Sequence, residues 1–326
     1  MKVLVLGGSG YIGSRLCELL AASGWATPVS ASSSRQQAGA KGLRVDTTDP
    51  ASLRLAVQDM DAVVNCVAGS PRAIAEGAKV LGEVCAKAGC ERIVHLSSMA
   101  VYGRREGPVQ ERAPVDQSLG WYARAKCEAE RHMASFVERG GTAVMLRPGC
   151  VWGPGSQLWV GRIGRCLHAR RLGDLGEAGD GWSNLVHVDD VCNAICAALR
   201  LPQPAGQVRA YNLAAPDSPR WNDYFVDLAL AIGATPVRRI SPLQLRVDAW
   251  VGAPALKLAQ SALARAGRKA AALPDPLPPG LLGLWQRHLR LESEKARSEL
   301  GVRWTPYAEA LQQSAGWYLQ AQHHAH

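Results

Sequence analysis

Tyr122 and Lys126 are the two residues of this 326-residue sequence whose types and spacing most directly suggest chemistry. They stand four positions apart in the segment WYARAK. Residues four apart on an α-helix lie on the same face, so a helix here would present the phenol and the ammonium to the same ligand. A phenol has a pKa of about 10, and a nearby ammonium favours the phenolate and lowers that pKa. The pair is therefore predicted to donate and accept protons.

A glycine-rich segment near the N-terminus predicts a bound dinucleotide. Gly7, Gly10 and Gly13 are spaced GxxGxxG between an apolar, strand-like segment at 2–6 and a helix-like segment at 13–23. In this context one glycine permits a tight turn, one lets the backbone approach a pyrophosphate, and one lets the helix pack on the strand. The first N–H groups of the helix also favour an anion. A plain tight turn is the alternative interpretation, and the strand–loop–helix context favours the dinucleotide.

The residues after the second predicted strand indicate which dinucleotide is bound. NAD-binding proteins of this type carry Asp or Glu about 20 residues after the glycine segment, where it binds the ribose 2′-hydroxyl. Here no acidic residue occurs between Glu18 and Asp46, and the corresponding segment, SASSSR, contains Ser32 and Arg35. Hydroxyls and an arginine bind a 2′-phosphate through charge-assisted hydrogen bonds, whereas a carboxylate would repel it. We therefore predict NADP(H) in preference to NAD(H).

The first half of the chain alternates strand-like and helix-like segments, which is typical of an α/β fold with a doubly wound parallel sheet. Short apolar segments predict buried parallel strands, and segments with apolar residues at helical spacing predict the helices between them. The predicted strands cover residues 2–6, 27–31, 42–45, 62–67, 92–96 and 142–146, and the predicted helices cover 13–23, 50–58, 73–88 and 120–139.

Beyond residue 150 this alternation becomes less regular. Segments 183–188 and 209–213 are predicted to be strands, the first of them returning to the sheet, with a helix at 189–199 between them. The last region, 289–322, is predicted to end helically.

These patterns predict two lobes. Residues 1–150, joined by parts of 183–213, are predicted to form the dinucleotide-binding domain, and 151–326 to form mainly a smaller substrate-binding lobe. Residues 243–266 are amphipathic and are predicted to form a lid or a packed helix. A dimer surface and a membrane-surface helix are the alternatives for that segment.

Composition narrows the class of protein. The net charge is +9, and the basic residues are scattered, which favours a site for an anionic ligand over a nucleic-acid interface. None of the nine cysteines forms a CxxC pair, which is typical of reduced thiols in the cytoplasm. The chain starts directly with a predicted strand and has no apolar run long enough to span a bilayer, so a cytoplasmic location without an integral membrane segment is expected. His323, His324 and His326 are predicted to be a loose tail, and no metal site is predicted.

Four further motifs follow the glycine segment in order. They are HLSSMAVYG at 95–103, Tyr122 and Lys126 with Glu128 and Glu130 after them, RPGCVWGP at 147–154, and LVHVDDV at 185–191. With these five motifs in register the sequence resembles the extended short-chain dehydrogenase/reductase family, within the NAD-dependent epimerase/dehydratase superfamily. The resemblance implies a Rossmann-type fold and an enzyme that acts on CH–OH and C=O groups with a nicotinamide cofactor.

The resemblance also implies the roles of individual residues. The serine four positions before the tyrosine of VYG is Ser98, not Ser97, and it is implied to polarise the substrate carbonyl. Tyr122 would be the acid/base, with Lys126 lowering its pKa and binding the nicotinamide ribose, while the cofactor carries the hydride. Asp46 is implied to touch the adenine, and Pro148 and Val151 to flank the nicotinamide. The full set of predicted cofactor-binding residues is Gly7, Ser9, Gly10, Tyr11, Ile12, Gly13, Ser32, Arg35, Asp46, Thr47, Val67, Ala68, Gly69, Ser97, Tyr122, Lys126, Pro148 and Val151.

The motif at 185–191 contains residue types that also occur in catalytic clusters. Asp189 and Asp190 are nevertheless predicted to be structural, because the start of a helix favours acidic residues. His187 is predicted to be a packed strand histidine.

Three features point to an apolar substrate. Nucleotide-sugar enzymes of the family typically place an arginine just before the strand that leads to HVDD, whereas Ser183 stands there in this sequence. The closing segment at 291–301 resembles the hydroxysteroid-dehydrogenase-like branch. The chain has ten Trp and only two Phe, and large indoles suit a flat apolar or aromatic ligand. The predicted substrate-binding residues are Met99, Trp121, Trp152, Trp159 and Trp182.

The predicted function is therefore NADP(H)-dependent interconversion of a secondary alcohol and a ketone on a small, largely apolar or aromatic substrate. A nucleotide-sugar epimerase, dehydratase or reductase is the alternative, because Arg162, Arg165, Arg170 and Arg171 are available to bind phosphate. A non-catalytic NADP-sensing protein is a further alternative, against which the complete Ser98, Tyr122 and Lys126 set argues. Family members often dimerise through a four-helix bundle, which implies a homodimer that uses 73–88 and 120–139.

Overall fold

The computed structural model describes residues 1–33, 42–202, 206–265 and 274–323. Arg35, His324, His326 and the last residue of the predicted 243–266 helix lie outside these ranges. The strands are β1 (Lys2–Leu6), β2 (Thr27–Ser32), β3 (Leu43–Arg44), β4 (Ala62–Asn65), β5 (Arg92–Leu96), β6 (Gly107–Val109), β7 (Thr142–Pro148), β8 (Cys150–Trp152), β9 (Leu185–His187), β10 (Val208–Leu213) and β11 (Leu289–Leu291). The helices are α1 (Tyr11–Ala22), α2 (Pro50–Val57), α3 (Pro71–Ala88), α4 (Trp121–Glu138), α5 (Arg162–His168), α6 (Val188–Arg200), α7 (Trp221–Ala231), α8 (Pro242–Val247), α9 (Ala253–Arg265), α10 (Pro279–Trp285), α11 (Glu294–Leu300) and α12 (Tyr307–His323).

Seven of the described strands form one parallel sheet in the order β10–β7–β5–β4–β1–β2–β3. β1 pairs with β2 on one side, where Leu6 is opposite Ala31, and with β4 on the other, where Leu6 is opposite Asn65. The strand order therefore reverses beside β1. Ligands of such sheets bind outside the carboxyl ends of the strands at this reversal. The predicted Rossmann-type, doubly wound α/β fold is confirmed.

Local capping chemistry explains where the helices begin. α3 starts at Pro71, two residues before the predicted limit, because the Ser70 side chain accepts a hydrogen bond of 3.1 Å from the Ala73 N–H. Proline is well suited to the first turn because it has no N–H to leave unsatisfied. The helix ends at Gly89, whose φ of 74° places it in the left-handed region that glycine adopts without strain.

The strand predicted at 183–188 does not join the main sheet. Segment 183–188 was expected to return to the main sheet, but β9 pairs with β8 in a separate two-stranded parallel sheet, in which Cys150 is opposite Leu185. The position beside β7 is occupied by β10, which pairs along its whole length from Val208 to Leu213. The predicted strand at 209–213 thus forms β10 and supplies the edge of the main sheet.

Side chains from the two faces of the main sheet form two separate cores. Val3 and Val5 of β1 point to the face covered by α1 and α6, where they pack with Leu16 and Ile195. The alternate residues Leu4 and Leu6 of the same strand point to the other face, which α2, α3 and α4 cover. Burial on both faces explains why β1 is a continuous apolar run rather than an alternating one.

The later part of the chain has its own core, which is built from large aromatic side chains. Trp221, Tyr224 and Phe225 of α7 and Trp285 of α10 are fully buried there. The Phe225 and Trp285 rings meet edge to face with centroids 5.2 Å apart, a favourable arrangement for aromatic quadrupoles. Several tryptophans of this sequence thus serve packing rather than ligand binding.

The segment at 243–266, predicted to be one amphipathic helix, consists of successive helical segments. α8 continues through a π-helical turn, Asp248–Gly252, into α9. The Arg171 guanidinium holds this region through two hydrogen bonds to the Asp248 carboxylate, of 3.0 and 2.6 Å. Leu243, Trp250 and Leu258 are largely exposed. Among the residues that the structure describes, no helix combines the length and apolar character needed to cross a bilayer.

Candidate active site

The glycine loop between β1 and α1 has the geometry of a pyrophosphate cradle. Gly7 has a φ of 76°, and a Cβ there would lie 2.9 Å from the Cys66 carbonyl oxygen. A Cβ on Gly13 would collide with the Gly7 carbonyl. Gly10 is the N-cap of α1 and has no side chain that could accept a hydrogen bond from the helix. The first N–H groups of α1 are therefore not capped by a side chain. These features fit a dinucleotide bound at the end of β1.

A cavity of about 860 Å³ extends from the glycine loop over the carboxyl ends of β5 and β7 to the later part of the chain. This volume is at the upper end of the range for small-molecule sites. The structure brings many of the predicted residues together on its walls, namely Gly7, Gly10, Tyr11, Ile12, Gly13, Val67, Ala68, Ser97, Ser98, Met99, Tyr122, Lys126, Pro148, Val151 and Trp159.

Ser98 and Tyr122 adjoin one another in this cavity. Ser98 follows β5 and caps the 3-10 turn Met99–Tyr102, where its Oγ accepts a hydrogen bond of 3.2 Å from the Ala100 N–H. Tyr122 lies in the first turn of α4. Burial of the phenol raises the pKa of Tyr122 above its usual value of 10.0, and a hydrogen bond with the Ser98 side chain lowers it in part. The two hydroxyls are therefore placed to share one substrate oxygen.

Lys126 is one turn further along α4 and is 3% exposed. Its Nζ donates to the Leu96 carbonyl at 2.7 Å and to the Val67 carbonyl at 3.4 Å. Burial lowers the pKa of Lys126 to about 8, and its Nζ lies 6.0 Å from the centre of the Tyr122 ring. The expected lowering of the Tyr122 pKa by Lys126 is not seen, because desolvation of the phenol is the largest effect and the group that lowers the pKa in part is Ser98.

Three of the four predicted substrate tryptophans do not line the cavity. Trp121 precedes Tyr122 on α4, and successive helix residues point about 100° apart, so its ring packs edge-on against Tyr122 while half of the residue is exposed. Trp152 follows Val151 on β8, and neighbouring strand residues point to opposite faces, so Val151 reaches the cavity and Trp152 stacks on Tyr307 in the core. Trp182 lies between the guanidinium groups of Arg220 and Arg290.

Several predicted cofactor residues also lie outside the cavity wall. Ser9 belongs to the glycine loop, and Gly69 follows β4, yet neither lines the cavity. Ser32 ends β2, and Asp46 and Thr47 follow β3 at the sheet edge. The Asp46 carboxylate accepts hydrogen bonds from the Thr48 N–H and hydroxyl, at 2.9 and 2.8 Å, which lower its pKa. Adenine contacts for these residues stay a prediction.

The residues of the HVDD segment have structural contacts. Asp189 accepts two hydrogen bonds from the Arg15 guanidinium, at 2.6 and 2.9 Å, and so joins α6 to α1. Asp190 binds the Thr305 N–H and hydroxyl, at 2.9 and 2.7 Å. His187 is buried, and its Nδ1 accepts from the Asp189 N–H. These contacts agree with the structural roles predicted for all three residues.

A buried polar network holds α4 against the sheet on the side away from the cavity. The Arg147 guanidinium of β7 donates two hydrogen bonds to the Glu130 carboxylate of α4, at 2.8 and 2.7 Å. A further Arg147 N–H donates to the Tyr102 hydroxyl at 2.9 Å, and that hydroxyl donates to Asn212 Oδ1 of β10 at 2.5 Å. The family motifs contain Glu130, Tyr102 and Arg147, yet only the folded chain reveals that they contact one another.

Sequence reasoning missed one wall of the cavity. Gly280, Gly283, Leu284 and Arg287, from α10 and the segment after it, also line the cavity. They are more than 100 residues beyond Val151 and carry no recognisable motif, so no local signal marks them.

Comparisons with known proteins agree with the fold. The sequence profile of the NAD dependent epimerase/dehydratase family matches residues 3–214, more than half of the chain. The 2-alkyl-3-oxoalkanoate reductase of Stenotrophomonas maltophilia is 32% identical over 217 residues, which are 60% of this chain and 64% of that protein. The chain thus covers less than two thirds of the reductase. Protein YeeZ of Escherichia coli is 29% identical over 257 residues, which are 72% of this chain and 86% of YeeZ.

Solved structures show the same fold. The structure of MoeE5 in complex with UDP-glucuronic acid and NAD aligns with 98% of this chain and 100% of that chain, with a TM-score of 0.73 and 21% identity. The hydroxysteroid-dehydrogenase-like branch stays a prediction, whereas the predicted family is confirmed. This chain belongs to the NAD dependent epimerase/dehydratase family.

Proposed function

We propose that the protein is an NADP(H)-dependent oxidoreductase that interconverts a secondary alcohol and a ketone on a small, largely apolar or aromatic substrate. One observation carries the proposal: the Ser98 and Tyr122 hydroxyls, Lys126 and the glycine loop all line the same cavity. A nicotinamide dinucleotide, when bound, supplies or accepts the hydride. The proton must then come from or go to a side chain at the substrate oxygen.

Tyr122 is the residue proposed to move that proton. In the reducing direction its phenol protonates the substrate oxygen, and in the oxidising direction its phenolate takes the proton back. Ser98 donates a hydrogen bond to the same oxygen, where negative charge develops. Lys126 is proposed to hold the cofactor ribose and to favour the phenolate through its charge, once substrate and cofactor surround it.

The walls of the cavity support an apolar substrate. Met99, Leu119, Leu158, Trp159 and Leu284 lie among its lining residues, and no acidic side chain occurs among those lining residues that belong to the described ranges. The similarity to a relative named as a 2-alkyl-3-oxoalkanoate reductase also favours reduction of a ketone that carries apolar chains. We therefore favour this substrate class over a sugar.

A nucleotide-sugar substrate is less consistent with the arginines. Of the four arginines considered for phosphate binding, none lines the cavity. Arg165 pairs with Asp275 and Arg171 with Asp248, so their charges are already compensated. Ser183, which stands where related enzymes carry an arginine, is buried and donates to the Pro219 carbonyl at 2.6 Å.

Initial rates with both cofactors test the proposal. A panel of aliphatic and aromatic ketones, and the matching secondary alcohols, would be followed through the absorbance of the reduced nicotinamide. We expect turnover of several members and a lower KM for NADPH than for NADH, because no carboxylate occurs between Glu18 and Asp46 to repel a 2′-phosphate. A clear preference for NADH would refute the cofactor assignment, and turnover of UDP-sugars alone would refute the substrate class.

The pH dependence of the two directions should differ. Because burial raises the pKa of Tyr122, the phenol stays protonated around neutrality, which suits reduction and opposes oxidation. Single-turnover reduction should be flat from about pH 6 to about pH 8, whereas oxidation should rise by about tenfold per pH unit. Above about pH 8 Lys126 loses its proton, so the increase in the oxidation rate should weaken there. An oxidation rate that does not change below about pH 8 would contradict the role of Tyr122 as base.

A further inference from the structure

Arg287 occupies a fixed position on the wall of the cavity. It follows α10, and its N–H donates to the Leu284 carbonyl at 3.2 Å. Its own carbonyl accepts from the Trp182 N–H at 3.0 Å. Burial raises the pKa of the Cys150 thiol on the cavity wall, and the Arg287 charge is close enough to offset part of that increase. The backbone of Arg287 is therefore fixed where its side chain lines the cavity near β8.

The Arg287 guanidinium has no compensating partner in the described ranges of the chain. It forms neither a hydrogen bond nor an ion pair there, although Arg104 and Glu106 are near enough to influence it. Burial lowers the pKa of Arg287 from its usual 12.5, yet a guanidinium remains protonated in proteins. A half-buried, unpaired charge is unfavourable, and an anion that enters the cavity would relieve that cost.

The charges of the cavity wall are of one sign. Lys126 and Arg287 are the charged residues among the described lining residues, and both are cationic. The Lys126 ammonium is bound to the Leu96 and Val67 carbonyls, on the side of the proposed cofactor. Arg287 is therefore the cation that remains for the substrate, and its neighbours Gly283 and Leu284 are apolar.

We propose that Arg287 binds a carboxylate of the substrate, so that the substrate is an oxo acid or hydroxy acid with an apolar body. The inference rests on the proposed function and refines its substrate class. A guanidinium matches a carboxylate with two parallel hydrogen bonds. A single arginine compensates one carboxylate but not the two charges of a diphosphate, and Arg165 and Arg171 are already paired with aspartates.

Binding of a matched acid and ester tests this assignment. Isothermal titration of the NADP⁺-saturated enzyme with decanoate and with methyl decanoate compares the same chain with and without the charge. We expect the wild type to prefer decanoate, and Arg287→Met to weaken decanoate binding by about 30-fold or more while methyl decanoate is unaffected. Arg287→Lys should recover part of the preference for decanoate over its methyl ester, because lysine keeps the positive charge but cannot form the two parallel hydrogen bonds of a guanidinium.

Arg290→Met is the matched control. Arg290 lies three positions further along, and its guanidinium packs on the Trp182 ring and does not line the cavity. This variant should bind decanoate as the wild type does. Equal binding of acid and ester by the wild type, or an unchanged preference in Arg287→Met, would overturn the inference.

A second measurement separates this inference from the proposed function. Oxidation of 3-hydroxydecanoate and of its methyl ester would be followed in the wild type, Arg287→Met and Tyr122→Phe. Arg287→Met should raise KM for the acid only, whereas Tyr122→Phe should lower kcat for both by about 1,000-fold and leave decanoate binding intact. An unchanged rate in Tyr122→Phe would reject the catalytic proposal without affecting the binding result.

Discussion

Replacing Tyr122 with Phe should lower kcat by about 1,000-fold, because the change removes the proposed proton donor and acceptor and retains the ring. The variant should still bind NADPH with wild-type affinity, since the glycine loop and Lys126 are untouched. Single-turnover reduction of a ketone, together with quenching of tryptophan fluorescence by NADPH, measures both quantities. Loss of the phenol hydroxyl removes one hydrogen-bond partner of Ser98, which keeps its contact with the Ala100 N–H.

The matched control is the same substitution at Tyr102. This phenol is buried behind the site, is absent from the cavity wall, and bonds to Asn212 and Arg147. Tyr102→Phe should therefore lower the free energy of unfolding by about 1–3 kcal/mol, with kcat close to that of the wild type. A Tyr122→Phe variant as active as Tyr102→Phe would show that another group transfers the proton.

Replacing Glu130 with Ala should lower the free energy of unfolding by about 3–5 kcal/mol. Glu130 and Arg147 are each 7% exposed in their side chains, and the substitution would leave the Arg147 guanidinium buried without its counter-charge. α4 would at the same time lose its tie to β7, so Tyr122 and Lys126 would be less well positioned. Urea denaturation measures the stability, and the m-value reports whether the unfolded surface has changed.

Glu128→Ala is the control for this prediction, on the same helix and two positions away. Glu128 pairs with Arg131, but both side chains are well exposed. Solvent screens such a pair, so its removal should cost about 0.5 kcal/mol or less. A loss from Glu130→Ala no larger than that from Glu128→Ala would mean that the buried ion pair contributes little. The double variant Glu130→Ala/Arg147→Met should be more stable than Glu130→Ala alone, because no unpaired charge remains.

α4 therefore combines two roles, one in the proposed catalysis and one in the stability of the fold. One face presents Tyr122 and Lys126 to the cavity, and Glu130, one turn after Lys126, fixes the helix to the sheet. Tyr122→Phe should therefore mainly lower kcat, whereas Glu130→Ala should lower the free energy of unfolding and also kcat, because the position of α4 depends on Glu130.

Much of the fold was predictable because it depends on short-range patterns. The apolar run at 2–6 and the glycines after it determine a buried strand and a tight loop within about a dozen residues. Likewise, the spacing of Tyr122 and Lys126 places them on one helical face whatever else the chain does. The cavity that these residues line lies beside the glycine loop at the carboxyl end of β1.

Other features depended on contacts between distant segments. Whether 183–188 would pair with the main sheet or with β8 was decided by β10, which occupies the edge beside β7. The direction of Trp152 was decided by the face of β8 that packs against the core. The position of a residue relative to a motif predicts neither the pairing of 183–188 nor the direction of the Trp152 side chain.

The family, the glycine loop and the Tyr122–Lys126 pair could be identified before folding is considered, because each depends on motifs of neighbouring residues. In contrast, the contacts of the Lys126 ammonium with two carbonyls and the place of Arg287 on the same cavity wall follow from the packed chain. Burial and charge compensation arise only when distant segments pack together. They depend on which segments, here more than 100 residues apart, exclude water from the same space.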